Sequence, residues 1–126
     1  MPNPIERREA TTVSHANSRI TQLGSSLKQN KALDARYYTK NSIDTRRDVA
    51  DIGDALEQRS ALKRDLKTRL GDWNTSPASK AHADAMLAKI RTAEHRERDD
   101  QITGRTARPT TRELGSDRHG ILRVKY

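Results

Sequence analysis

The run of helix-forming residues from Asn41 to Pro77 limits the possible folds more than any other part of the chain. It stops at Gly71 and restarts at Ser76 and Pro77, so it predicts a helix, a sharp turn and a second helix. Apolar residues on both sides of the turn recur at helical spacing, which places them on one stripe of each helix. We therefore expect an antiparallel helical hairpin that pivots on residues 71–76.

The residues at the pivot have predicted roles of their own. Gly71 follows Leu70 in the way that a left-handed C-terminal helix cap follows the last helical residue. Trp73, the only tryptophan, is then placed to fold back over the end of the helix. It is therefore included in the predicted helix-packing seam, which comprises Ile20, Leu23, Leu27, Ile52, Leu62, Leu66, Trp73, Leu87 and Ile90.

A long helix is also predicted at the N-terminus. Asn3, Pro4 and Glu6 match a capped helix start, and the apolar residues that follow have heptad-like spacing. A seam this narrow suits a helix that lies on another helix, either in this chain or in a second subunit. We predict an all-α, elongated three-helix domain over residues 1–103. Its helices are expected at about residues 4–38, 42–70 and 77–103.

The remainder, residues 104–126, is predicted to be an extended basic tail. Glycine and proline punctuate it, and it has no helical period. Its last six residues alternate as a short strand does, with Leu122, Val124 and Tyr126 on one side. These three residues could add a strand to the sheet of another protein, and a loose tail is the equal alternative.

Positive charge is concentrated at the two ends of the sequence. Residues 1–41 and 104–126 each carry a net charge of +4, whereas residues 42–75 and 76–103 are each neutral, which accounts for the total of +8. Basic ends on a neutral scaffold indicate contact with an acidic partner or with phosphate groups. The predicted contact residues are Arg7, Arg8, Arg19, Arg105, Arg108, Arg112, Arg118, His119, Arg123 and Lys125.

Several classes of protein are disfavoured by the sequence. There is no cysteine for a disulfide or a zinc ribbon, no apolar run near the roughly 18 residues of a membrane span, and no catalytic motif. Ile, Leu and Val make up only 20 of the 126 residues, so the core is thin. We expect no catalytic activity, cofactor, metal, small-molecule ligand or membrane. The expected location is soluble, in the cytoplasm or within a virus particle.

Three functional hypotheses fit this pattern. The first is a structural component of a multi-subunit assembly, such as a minor protein of a virus particle, that docks on other subunits through its basic N-terminal helix and C-terminal tail. The second is a nucleic-acid-binding regulator with a helical dimer seam. The third is an adaptor or effector that folds on an acidic protein.

Overall fold

The computed structural model describes residues 3–118, which form four helices and no strand. The first three helices pack on one another, and the fourth packs on the second. The predicted all-α class is confirmed, and the predicted bounds of the three long helices differ from the observed ones by at most two residues. The helices are α1 (Pro4–Arg36), α2 (Ile43–Gly71), α3 (Pro77–Ile102) and α4 (Thr111–Arg118).

The predicted helix starts are correct because their capping side chains satisfy backbone N–H groups that have no partner within the helix. At α1, the Glu6 N–H donates to Asn3 Oδ1 at 2.8 Å, and the Asn3 N–H donates to Glu6 Oε1 at 3.2 Å, which completes a capping box. Ser42 caps α2, and Ser76 caps α3 ahead of Pro77.

Two helices end in a left-handed residue. After α3, Gly104 has a φ of +76°, and the N–H of Arg105 donates to the carbonyl of Asp100 at 2.8 Å. After α1, Tyr38 takes the same conformation, with a φ of +57°, although it has a Cβ. The left-handed cap predicted at Gly71 is wrong, because this glycine is the last residue of α2 and Asp72 ends the helix in an extended conformation.

The core consists of two apolar clusters. The first contains Val13, Leu66, Met86, Leu87 and Ile90 and lies between α1, α2 and α3. The second lies further along α1 and α2, and is built from Leu27, Val49 and Ile52, with Leu23, Leu56, Ala107 and Leu114 packed against it.

Most of the predicted helix-packing seam lies in this core. Ile20, Leu27, Ile52, Leu66, Leu87 and Ile90 are buried, and Leu23 and Leu62 are partly buried. Trp73 is the exception: its prediction is wrong, because α2 ends without the left-handed turn that would bring the indole back, and the residue is 85% exposed.

The prediction of an extended chain from residue 104 is also wrong for residues 111–118, which form α4. The hydroxyl of Thr110 accepts from the Glu113 N–H at 3.0 Å, and the Glu113 carboxylate accepts from the Thr110 N–H at 2.8 Å. This capping box starts the helix. Lys31 of α1 then binds Glu113 at 3.0 Å, and Leu114 packs on the second core cluster.

The segment that leads into α4 crosses α1 at Gly24. The Ala107 N–H donates to the Gly24 carbonyl at 2.9 Å, and Pro109 is buried. A Cβ on Gly24 would lie only 3.0 Å from Cβ of Thr106, so the close crossing favours glycine. The predicted strand residues Leu122, Val124 and Tyr126 lie outside the described residues.

Candidate interaction surface

A buried ion cluster joins the three long helices near the middle of the bundle. Arg59 of α2 binds Glu97 of α3 through two hydrogen bonds, of 2.6 and 2.7 Å, and the two side chains are only 6% and 5% exposed. The same guanidinium donates to Asn17 Oδ1 of α1 at 2.8 Å, and Arg108 donates to Glu97 Oε1 at 2.8 Å. We call these four residues the central ion cluster.

A second cluster joins the start of α1 to the end of α2 and the start of α3. Arg69 binds Glu9 at 2.6 and 3.0 Å and Asp65 at 2.9 Å. His82 Nε2 lies 3.1 Å from Glu9 Oε1, and its Nδ1 lies 3.7 Å from Glu6 Oε2. The hydrogen bond from Arg69 holds the pKa of Glu9 below its ordinary value of 4.5, although burial acts in the opposite direction. We call these five residues the N-terminal ion cluster.

Carboxylates also fix the turn between α1 and α2. Asp34 Oδ2 accepts from the Thr45 hydroxyl at 2.7 Å and from the Ser42 N–H at 3.2 Å. These hydrogen bonds, with that from Thr45 the larger contribution, lower the pKa of Asp34. Asp48, which is buried, accepts at 2.7 Å from each of two polar side chains of α1, Ser26 and Asn30.

In these contacts many of the acidic side chains are paired inside the bundle, whereas several basic side chains lie on its surface. Arg7 and Arg8 are exposed, and neither side chain forms an ion pair within residues 3–118. Arg112 is also exposed, and Arg105 is exposed with its Nη1 3.8 Å from Asp100. The structure therefore supports a cationic exterior at several of the predicted contact residues.

The predicted basic contact residues do not form one patch. Arg8 lies 16 positions before Gly24 on α1, about 24 Å along the helix axis, and Gly24 marks where the C-terminal segment crosses. Arg19 is half-buried, and Arg108 points into the central ion cluster instead of outward. Arg118 belongs to α4, and the other predicted contacts, His119, Arg123 and Lys125, lie outside the described residues.

The aromatic residues within 3–118 lie on the surface, a placement that the apolar pattern of the sequence did not predict. Tyr37 and Tyr38, at the turn after α1, are 66% and 95% exposed, and Trp73 lies in the turn after α2. The sequence does carry a signal for this exposure, because each of these aromatic residues lies in a short connection between two capped helices. Four large aliphatic residues near helix ends are also exposed: Ile5, Leu33, Ile43 and Ile102.

Comparison with known proteins gives no family assignment: no protein-family model matches the chain, and searches of curated proteins and of solved structures find no significant match. Among residues 3–118, no helix combines the length and the hydropathy needed to cross a lipid bilayer.

Proposed function

We propose that the chain is a non-enzymatic structural component of a larger assembly and that it docks on other protein subunits. One observation supports this proposal most directly: the three aromatic residues within 3–118, Tyr37, Tyr38 and Trp73, are all exposed. Aromatic side chains contribute large buried areas to cores and are enriched at the energetic centres of protein interfaces. Their position outside a thin core favours a role at an interface.

The surface around Trp73 has the composition of a docking site. The N-terminal ion cluster holds the start of α1 beside the end of α2, so Ile5, Arg7 and Arg8 lie at the same end of the bundle as Trp73. An exposed indole, an exposed aliphatic side chain and two arginines that form no ion pair with any described residue match the residue types that dominate interface energetics. The complementary partner surface would be apolar with an acidic rim.

The more specific form of this proposal keeps the roles predicted from charge. The basic N-terminal helix and the basic C-terminal segment, residues 104–126, are the docking elements, and the described part of the C-terminal segment packs on α1 at Gly24 and Lys31. A minor protein of a virus particle would use such a chain to join larger subunits. The net charge of +8 suits a position among acidic proteins or near packaged nucleic acid.

The test is whether Trp73 and its neighbours are required for assembly. Full-length protein from its native source is separated by size under non-denaturing conditions, and we expect it in particles far larger than its own 14.3 kDa. A W73S variant should move to the monomer fraction while its circular dichroism stays helical. The matched control is I102S, which removes another exposed apolar residue away from the aromatic turns and should remain assembled. Assembly of W73S at the level of the unmodified chain would refute docking through this surface.

Binding of nucleic acid is the second candidate, and charge favours it. Lys89 and Arg96 line a shallow groove between α1 and α3, and the part of the chain that the structure describes places no acidic residue along it. Such a groove could contact phosphates without reading bases. If this hypothesis is correct, the purified chain should bind duplex DNA with affinity that falls steeply as salt rises. Absence of binding at low salt would exclude it and leave the adaptor that folds on an acidic protein as the remaining alternative.

A further inference from the structure

An open cleft of about 540 Å³ lies between α2 and α3, with Arg108 at its border. One face of each helix lines it, because residues 56, 59, 60 and 63 of α2 and residues 94, 97, 98 and 101 of α3 follow helical spacing. Its volume falls within the range of roughly 300–1,000 Å³ that is usual for small-molecule sites. Leu56 is its one apolar lining residue, so the cleft suits a polar ligand.

The two carboxylates in the cleft are already occupied by the chain itself. Both oxygens of Glu94 accept from Lys63 Nζ, at 3.1 and 3.0 Å. Both oxygens of Glu97 accept from Arg59, and Glu97 Oε1 also accepts from Arg108. Neither carboxylate is available to neutralise a further cation.

Positive charge in the cleft exceeds negative charge. Lys63, Arg59, Arg98 and Arg108 face Glu94 and Glu97, which leaves two positive charges in excess. Arg98 is exposed and forms no ion pair within residues 3–118, and Arg108 uses only its Nη2 on Glu97. The unused hydrogen-bond donors therefore include a complete guanidinium and part of a second.

We propose that this cleft binds a small phosphorylated molecule, with the phosphoryl group between Arg98 and Arg108. A phosphomonoester carries a charge of about −1.5 to −2 near pH 7, which matches the excess charge of the cleft, and guanidinium groups bind phosphate through paired hydrogen bonds. Ser60 and Gln101 line the same cleft and supply neutral donors for hydroxyl groups of the ligand. A sugar phosphate meets these requirements. The site departs from the sequence-based expectation of no small-molecule ligand and is independent of the docking role.

The experiment titrates the full-length, ¹⁵N-labelled chain with inorganic phosphate and with ribose 5-phosphate, at constant ionic strength in chloride buffer. We expect saturable shifts at the amides of residues 59–63, 94–101 and 108. R98E should weaken binding by about tenfold or more, because it replaces an attractive charge by a repulsive one. The matched control is R46E, an equal charge change on an exposed residue of α2 that lies 13 positions before Arg59, about 20 Å along the helix axis. It should weaken binding by less than about twofold, since it acts only through distant, screened charge.

Three results would overturn the proposal. The first is the absence of saturable shifts, and the second is an equal loss of affinity in R98E and R46E, which would indicate unspecific attraction to a cationic surface. The third is displacement of ribose 5-phosphate by a short DNA duplex whose binding is weakened by R98E to the same extent. This result would assign the cleft to a nucleic-acid backbone. Both variants change exposed residues, and circular dichroism confirms that each remains folded.

Discussion

The two ion clusters connect the same three helices but differ in which charge is in excess. In the N-terminal ion cluster, three carboxylates share Arg69 and His82, so acceptors outnumber cationic donors. In the central ion cluster, two guanidiniums share the single carboxylate of Glu97. The first cluster is thus vulnerable to loss of its cation and to acid. The second is vulnerable to loss of its carboxylate, and it is the one beside a cleft with unused donors.

The largest expected effect follows from removing the shared carboxylate. Glu97→Ala leaves Arg59 buried without a counter-charge, which should lower the free energy of unfolding by about 3–5 kcal/mol. Urea denaturation at pH 7 measures this change. Glu94→Ala is the matched control: it removes a carboxylate whose pair with Lys63 is about one-third exposed, so the expected loss is below about 1 kcal/mol. Equal losses in the two variants would mean that burial does not distinguish these pairs.

Arg69→Leu tests the opposite cluster and should lower the free energy of unfolding by about 2 kcal/mol at pH 7, because Glu9 loses its main partner. The pH dependence should change as well. The folded-state pKa of Glu9 lies below 4.5, so its contribution is complete above about that pH and is lost as pH falls through the folded-state value.

The Arg69→Leu variant should therefore lose less stability between pH 5 and pH 3 than the unmodified chain, a range that brackets the ordinary pKa of Glu9. Urea denaturation over a pH series provides the measurement. Arg64→Leu, at an exposed position of α2, is the control and should keep the full acid dependence. An unchanged pH profile in Arg69→Leu would show that the ion pair does not set the acid sensitivity.

A smaller effect on stability is expected where the C-terminal segment crosses α1 at Gly24, just before Arg108 reaches the central ion cluster. In Gly24→Ala the new Cβ would crowd Thr106 and the carbonyl of Ala107, and we expect a net loss of about 1 kcal/mol despite the better helix propensity of alanine. Gly71→Ala is the control: nothing lies within 4 Å of its Cβ position, so a gain of about 0.5 kcal/mol is expected. Thermal unfolding of both variants measures these changes, and a gain in stability for Gly24→Ala would contradict the close crossing.

The smallest effect concerns a turn outside both clusters, which provides a baseline for the comparison. The backbone of Tyr38 is in the left-handed conformation, and its side chain is almost fully exposed. Tyr38→Gly therefore relieves the steric cost of a Cβ in this conformation without removing packing, and should raise the free energy of unfolding by about 0.5 kcal/mol. Tyr37→Gly is the control, because Tyr37 has a negative φ and gains nothing from glycine. Urea denaturation of both variants tests this prediction, and a loss in Tyr38→Gly would contradict it.

The sequence predicted the features that depend on neighbouring residues. The caps at Asn3 and Ser76 were predicted because each lies immediately before its own helix in the sequence. The capping box of Thr110 and Glu113 carries the same signal, and it was missed because the surrounding glycines and threonines favour irregular chain.

The candidate site could not be predicted in the same way, because its residues are distant in sequence. Arg59 lies in the middle of α2, whereas its partner Glu97 lies 38 residues away in α3. Neither pattern nor spacing shows which charged residues of different helices face each other. Only the packing of α2 on α3 reveals that Arg59 is buried and that the cleft beside it has an excess of positive charge.

The attachment of the C-terminal segment to α1 has a consequence for the order of folding. The hydrogen bond between Lys31 and Glu113 joins residues 82 positions apart, whereas α1 and α2 are joined by a turn of a few residues. Closing a loop of that length costs chain entropy that neighbouring helices do not incur, so we expect this attachment to form last and open first. In native-state hydrogen exchange, the Ala107 amide should therefore exchange through a local opening well before the amides of the first core cluster.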